Sequence, residues 1–333
     1  MKAINFQANM LTGRLSERDA KRYFSLFGWF AFIFTAVSSA AVSIIGGVVS
    51  KLAPDVYSHW LFAQALSPIA FYAIALPIAL IPLSMLPTLT PHKIKMPLRD
   101  WWQGLCICLA LMMIGNYVSG FILTLIESYT GLKTQNPIEA VVSKIPLWGT
   151  FLFVVVIAPI LEEIVFRGIL CKRLLPLGEG YAVALSAACF ALLHGNFYQL
   201  FYAFTLGCFF SFVYVKTGKL RYTILYHMAI NFVGGFISPI IYKKADLEGL
   251  AESFTVHAGN IFPLIAFLWY WILTTLAAVF GIVIIIKKRR SFYLCQGAIP
   301  PPKGQAIKCI ITSSGIIASL VLFALILSGS VIR

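Results

Sequence analysis

The chain has 333 residues, of which 60% are hydrophobic and only 11% are charged. Soluble domains carry roughly 45–50% apolar and about 25% charged residues, so this composition excludes an ordinary soluble domain and predicts a polytopic membrane protein. The net charge of +14 is a property that nucleic-acid-binding proteins share. Here, however, the basic residues abut the ends of apolar segments, as membrane topology determinants do, and we expect no nucleic-acid partner.

Hydropathy divides the chain into about nine apolar segments. We therefore predict an all-α polytopic transmembrane bundle of about eight or nine spans in residues 27–333, which are expected to form a single integral membrane domain. The polar, basic residues 1–26 are expected to form a cytoplasmic N-terminal segment. The fifth segment is short, which is typical of a helix buried among others. The predicted spans are 27–50, 66–86, 102–126, 146–170, 181–194, 197–215, 222–241, 261–286 and 307–331.

The basic residues are distributed unequally between the two sides of this predicted bundle. When successive connections are assigned alternately to the two sides, 19 of the 26 Lys and Arg residues lie on one side and six on the other. Arg167 is left inside a span. Because basic connections stay in the cytoplasm, we predict a plasma-membrane protein with its N-terminus inside and its C-terminus outside. Arg167 lies a few residues from Lys172, so a site there is expected to open toward the cytoplasmic leaflet.

Two adjacent acidic residues lie inside the fourth predicted span. Glu162 and Glu163 are the only two of the 12 acidic residues that fall within a predicted membrane segment. A carboxylate at membrane depth is costly, so such residues are rare and usually face a polar cavity. Arg167 follows Glu163 by four residues, so the two side chains share a helix face and can pair. Glu162 is rotated from Glu163 by about 100° and can point elsewhere.

Two histidines lie in apolar, helical surroundings, whereas the other three fall in predicted loops. His194 ends the fifth segment, four residues after Phe190, and His227 lies in the seventh, four residues before Asn231. Residues at this spacing share a helix face. Because an unpaired polar group is costly in hydrocarbon, we expect three helices to project these side chains and the glutamates into one cavity.

At these positions the chain resembles the CPBP intramembrane proteases, the superfamily of the Ras-converting CAAX endopeptidase and of bacterial bacteriocin-processing and self-immunity proteins. The family pattern is EExxxR, FxxxH and HxxxN on three separate membrane helices. All three motifs occur here in order and without departure, and the resemblance covers about residues 145–240. The matching residues are Glu162, Glu163, Arg167, Phe190, His194, His227 and Asn231.

The resemblance implies an intramembrane endopeptidase that hydrolyses a peptide bond in a membrane-associated or lipidated peptide or protein. It implies that Glu162 and His194 activate a water molecule, and that His227 and Asn231 stabilise the oxyanion. A carboxylate, an imidazole and an amide can supply these functions, because peptide hydrolysis needs a base, an oxyanion stabiliser and a proton for the leaving amine.

The remaining motif residues have supporting roles in this interpretation. The resemblance implies that the Glu163–Arg167 ion pair orients the site, with Phe190 beside it, and that no metal or other cofactor is needed. A zinc-dependent version of the same protease is an alternative, because two histidines and a glutamate can bind zinc while the second glutamate acts as base. HExxH is absent, however, and asparagine is a poor zinc ligand.

Three non-enzymatic interpretations also stay open. Intramembrane Glu, Arg and His residues serve proton-coupled transporters, although no paired repeats are visible here. A non-catalytic bacteriocin immunity protein would keep the same fold without turnover. A structural ion pair, with histidines as hydrogen-bonding links between helices, would need no function at all.

Overall fold

The computed structural model describes Ile4, residues 12–131 and 145–246, Gly259 and residues 261–331. Within these ranges the chain forms helices and no strand, which confirms the predicted all-α class. The short helices Pro54–Ser58 and Ala306–Ile311 each precede one of the long helices. The long helices of the described part are α1 (Glu17–Leu52), α2 (Trp60–Ser84), α3 (Leu98–Thr130), α4 (Leu147–Leu177), α5 (Glu179–Leu193), α6 (Phe197–Thr217), α7 (Leu220–Ala245), α8 (Ile261–Lys287) and α9 (Ser314–Val331).

Eight of these helices, all except α5, are long and apolar enough to cross a membrane within the described residues. The polytopic bundle is thus confirmed, with eight full-length helices in place of nine. At 1.5 Å per residue, the 15 residues of α5 extend about 22 Å, which is less than the roughly 30 Å hydrocarbon core. Its small and apolar residues are largely buried, mainly against α4 and α6, so lipid thickness does not set its length.

Both ends of the bundle differ from the boundaries that hydropathy predicts. Helix α1 begins at Glu17, ahead of its apolar run, because the Ser16 hydroxyl caps it by accepting from the backbone N–H of Asp19 at 3.1 Å. The last predicted span is interrupted before Ser314, where the Ser313 hydroxyl donates to the Lys21 carbonyl at 2.9 Å. The division of the chain at residue 26 stays a prediction.

Close approaches between backbones hold the helices in place. A Cβ at Gly28 of α1 would lie 2.2 Å from the Gly315 backbone of α9, so only glycine fits at this crossing. A Cβ at Gly115 of α3 would likewise lie 2.3 Å from Cα of Tyr202 in α6. Helix α6 therefore packs tightly between α3 and α5, and α7 packs on α4. The site's polar residues lie among α4, α5, α6 and α7.

The basic connections meet at one end of the bundle. The Leu89 N–H donates to the Lys172 carbonyl at 2.8 Å, and the Ile94 N–H donates to the Thr217 carbonyl at 2.9 Å. The linker between α8 and α9 joins them, because the Ile299 N–H donates to the carbonyl of Pro176 at 2.9 Å. The connections that the alternation assigns to one side are thus neighbours in space, while their cytoplasmic orientation stays a prediction.

Candidate active site

Helix α4 places its two glutamates in different surroundings. Glu163 is fully buried, whereas the side chain of Glu162 is 23% exposed. The two lie at the end of a short α-helical stretch, Ala158–Glu163, which has π-helical segments on both sides. Such π-helical turns are rare and are frequent at functional sites. The local winding therefore fits a helix that turns one carboxylate inward and leaves its neighbour accessible.

The expected ion pair is present and completely buried. Nη1 of Arg167 donates to Oε1 of Glu163 at 2.8 Å, and Nη2 donates to the Gly207 carbonyl on α6 at 3.1 Å. The guanidinium carbon lies 4.7 Å from the centre of the Phe190 ring, within cation–π range. Oε2 of Glu163 and Nε of Arg167 have no hydrogen-bond partner among the described residues. The charges are thus paired but not fully satisfied.

His227 on α7 faces both glutamates. Its Nδ1 lies 3.0 Å from Oε1 of Glu163, which is hydrogen-bonding distance. Its Nε2 lies 3.6 Å from Oε2 of Glu162, slightly too far for a direct hydrogen bond. His227 thereby connects the buried ion pair to the accessible carboxylate.

His194 ends α5 with one ring nitrogen already engaged. Its Nδ1 lies 2.8 Å from the carbonyl oxygen of Phe190, to which it donates as an N–H. In a neutral ring this bond leaves Nε2 as an unprotonated acceptor. His194 lies within electrostatic range of Glu162, His227 and Arg167. The Phe190 ring meets both histidines edge to face, with centroids 4.9 Å from His194 and 5.6 Å from His227.

Asn231 lies at the start of a π-helical segment of α7 and points toward α4. Its amide nitrogen donates to the Val154 carbonyl at 2.9 Å, which uses one of its two N–H groups. Direct contacts thus join the other six predicted site residues, whereas Asn231 contacts α4 two turns before Glu162, a contact that the sequence does not predict.

A fourth helix contributes groups that lie outside the three motifs. Besides the Gly207 carbonyl, α6 supplies Phe210, whose ring centre lies 5.4 Å from the Arg167 guanidinium carbon and 5.4 Å from the His227 ring. A backbone carbonyl and a phenylalanine have no distinctive sequence signal in an apolar helix. In the sequence, the polar pair Asn196 and Gln199 at the start of α6 is the feature that distinguishes this helix.

Comparison with known proteins gives the class to which this site belongs. Residues 144–233 match the family described as Type II CAAX prenyl endopeptidase Rce1-like. Over 186 residues the chain is 31% identical to the membrane-embedded CAAX protease MroQ of Staphylococcus aureus (strain USA300), which covers 53% of this chain and 71% of that protein. Over 192 residues it is 27% identical to CAAX prenyl protease 2 of Arabidopsis thaliana, covering 46% of this chain and 58% of that protein. No solved structure matches the chain significantly.

The residues that match the family, 144–233, include the buried ion pair and both histidines of the site. The chain belongs to the CPBP family of CAAX-type intramembrane proteases. It is an integral membrane peptide-bond hydrolase, and its partners include the lipid bilayer and a peptide substrate.

Proposed function

We propose that the protein cleaves a membrane-associated or lipidated peptide or protein with a water molecule activated by Glu162 and His194, without a metal. The observation that carries this proposal is the asymmetry of the two glutamates. Glu163 is occupied by Arg167 and His227, whereas Glu162 is accessible and its ion-pair contact within the described residues is with Nε2 of His227, at 3.6 Å. A carboxylate that is free of an ion pair can accept a proton from water.

The proposed reaction begins with water held between Glu162 and Nε2 of His194. One of these groups takes a proton from the water as its oxygen bonds to the carbonyl carbon of the substrate. The tetrahedral intermediate then collapses, the carbon–nitrogen bond breaks, and the same proton passes to the leaving amine. The Nδ1 bond from His194 to the Phe190 carbonyl supports this role, because it fixes the ring with Nε2 as acceptor.

The oxyanion of that intermediate is proposed to bind His227 and Asn231. One amide N–H of Asn231 remains after its bond to Val154. A proton on Nε2 of His227, with Nδ1 donating to Glu163, would give the ring a positive charge beside both carboxylates. Two carboxylates, one guanidinium and one imidazolium sum to zero, which suits a site at membrane depth.

The zinc-dependent alternative requires several of the same residues to bind one metal ion. Within the described part of the chain, no group of three or more His, Cys, Asp or Glu side chains is placed to hold one metal ion. The bond from Nδ1 of His194 to a carbonyl leaves Nε2 open and is compatible with either version. The metal-free version predicts full activity after exhaustive treatment with a chelator. Loss of activity that zinc restores would establish the metal-dependent version.

The substrate class is proposed from the names of the two relatives, both of which are described as CAAX proteases. The test uses purified protein in lipid nanodiscs and a pair of internally quenched peptides that end in a Cys-aliphatic-aliphatic-X tail, one farnesylated and one unmodified. Cleavage of either peptide by the wild type, and of neither by Glu162→Ala, is expected. Preference for the farnesylated peptide would establish a lipidated substrate, and equal rates would favour an unmodified peptide.

Failure to cleave either peptide would count against this substrate class. Immunity that persists in cells with Glu162→Ala would favour the non-catalytic binding protein. Proton flux through proteoliposomes that the same substitution abolishes would favour the transporter.

We further propose a plasma-membrane location with the site open to the cytoplasmic leaflet. Reporter fusions at the connection after α6 and at the C-terminus test this proposal. Because α5 is short, a cytoplasmic C-terminus would mean that it does not cross.

A further inference from the structure

The start of α6 carries a chain of hydrogen bonds that the three motifs do not include. Asn196 caps the helix, because its side-chain oxygen accepts from the backbone N–H of Gln199 at 2.9 Å. The Asn196 amide donates to the His194 carbonyl at 2.8 Å and to the side-chain oxygen of Gln199 at 2.9 Å. The Gln199 amide in turn donates to the hydroxyl oxygen of Tyr202 at 2.9 Å. The chain thus runs from the end of α5 to a phenol one turn along α6.

These hydrogen bonds determine whether the Tyr202 hydroxyl donates or accepts. Asn196 occupies the oxygen of Gln199, so the nitrogen of Gln199 must face the phenol and fill one of its lone pairs. A phenol has one proton to donate. Among the described residues, no acceptor forms a hydrogen bond with that proton. Tyr202 therefore presents a free, oriented hydrogen-bond donor.

Helix packing places the donor at the depth of the accessible carboxylate. Arg167 of α4 donates to the Gly207 carbonyl of α6, and the C-terminal ends of both helices lie at the basic end of the bundle. Glu162 and Tyr202 each precede that contact by five residues, and Asn196 joins the start of α6 to the His194 carbonyl. The Tyr202 phenol is also within electrostatic range of Glu162. Its backbone is fixed by the contact with Gly115 on α3, and the Thr205 hydroxyl one turn further donates to the Leu111 carbonyl at 3.2 Å. The position of the phenol is thus set by helix packing as well as by the amide that orients it.

We propose that Tyr202 donates its hydroxyl to the oxyanion that forms on the scissile carbonyl, as a third donor beside His227 and Asn231. This inference rests on the proposed function above. The other two donors are partly occupied, since His227 faces Glu163 through Nδ1 and Asn231 donates to Val154. Tyr202 keeps its proton throughout, and only the hydrogen bond strengthens as charge develops on the substrate oxygen.

Tyr72 on α2 gives a natural comparison. Its phenol also lies within electrostatic range of Glu162. Among the described residues, however, no amide is bonded to its hydroxyl in the way that Gln199 is bonded to Tyr202. Because an unoriented donor must reorganise during the reaction, Tyr72→Phe is expected to reduce kcat less than Tyr202→Phe.

The experiment measures kcat, KM and pH dependence for Tyr202→Phe on whichever quenched peptide of the pair above the wild type cleaves. Loss of one oxyanion donor lowers kcat by about 100- to 1000-fold, and KM should not change. The control is Tyr214→Phe, which makes the same change at a buried position near the other end of α6 and should leave kcat unchanged. Gln199→Leu should cause an intermediate loss, because the phenol remains but is no longer oriented.

The outcomes separate this inference from the one on which it rests. If Glu162→Ala is inactive while Tyr202→Phe keeps the wild-type kcat, Tyr202 does not bind the oxyanion and the water-activation proposal stands. If Glu162→Ala is active, the mechanism itself fails. A shift of the pH profile with an unchanged plateau would mean that Tyr202 acts on the basicity of Glu162. Equal loss of thermal stability and activity in Tyr202→Phe would indicate a purely structural role.

Discussion

Two glutamates that are neighbours in the chain divide the site into two halves. The closed half consists of Glu163 and Arg167, both fully buried and joined at 2.8 Å. The open half consists of Glu162, which lies within α4 and has a side chain that is 23% exposed, and His194, which directly follows the last residue of α5. The helical offset of about 100° between adjacent residues is enough to send two identical side chains into these different environments. At membrane depth, a charged side chain that is already paired can serve the structure, whereas one that has no ion-pair partner can react.

Substitution of the open carboxylate should have the largest effect on activity. Glu162→Ala is expected to reduce cleavage to background, because the proposed base is used in every turnover. Its insertion and thermal stability should match the wild type, since Glu162 has no direct hydrogen bond among the described contacts. Peptide cleavage and thermal unfolding in the same nanodisc preparation measure both properties. Full activity of this variant would remove the enzymatic role of the open half.

Substitution in the closed half should affect stability first. Arg167→Ala leaves Glu163 as an unpaired buried charge. Removing one partner of a buried ion pair lowers the free energy of unfolding by about 3–5 kcal/mol. We expect lower expression and a lower midpoint of thermal unfolding before any separate kinetic defect can be measured. A wild-type midpoint in Arg167→Ala would contradict the assignment of this half as structural.

The double variant Glu163→Gln with Arg167→Gln sharpens that test. It removes both charges together and keeps groups that can hydrogen bond, so part of the stability lost in Arg167→Ala should return. Single and double variants compared by thermal unfolding give the coupling between the two side chains. If the double variant is less stable than either single variant, the two charges do not act as a pair.

Substitution of Asn231 is expected to have an intermediate effect on activity. Asn231→Ala should slow cleavage by roughly 100- to 1000-fold, which corresponds to about 2.7–4 kcal/mol for one oxyanion donor. Activity should remain measurable, unlike that of Glu162→Ala, because the base is intact. The measurement is kcat under saturating peptide, and an unchanged kcat would show that Asn231 serves only its bond to Val154.

The smallest effect is expected at an ion pair outside the site. Lys216 donates to Glu179 at 2.6 Å, and both side chains are partly exposed. Glu179→Gln keeps an oxygen for the backbone N–H of Cys295, so we expect a loss of less than about 1 kcal/mol and no change in cleavage. A large loss here would mean that the stability effect predicted for Arg167 is not specific to burial.

The sequence by itself predicts much of this architecture because the relevant physics is local. Each long apolar run predicts a membrane-spanning helix, because polar groups are costly in hydrocarbon. The spacing of Glu163 and Arg167 places them on one helix face. These rules give the all-α class, the order of the helices and the buried ion pair, all without knowledge of how the helices pack. The short fifth segment is also visible from its length alone.

Only the tertiary structure decides which groups complete the site. The Gly207 and Val154 carbonyls have no side-chain signature, yet they accept from Arg167 and Asn231. The contact of Tyr202 with Gly115 depends on how α6 packs against α3, which no periodicity within either helix can specify. Burial is a property of the whole bundle, so only the assembled helices distinguish Glu163, which is enclosed, from its chemically identical neighbour.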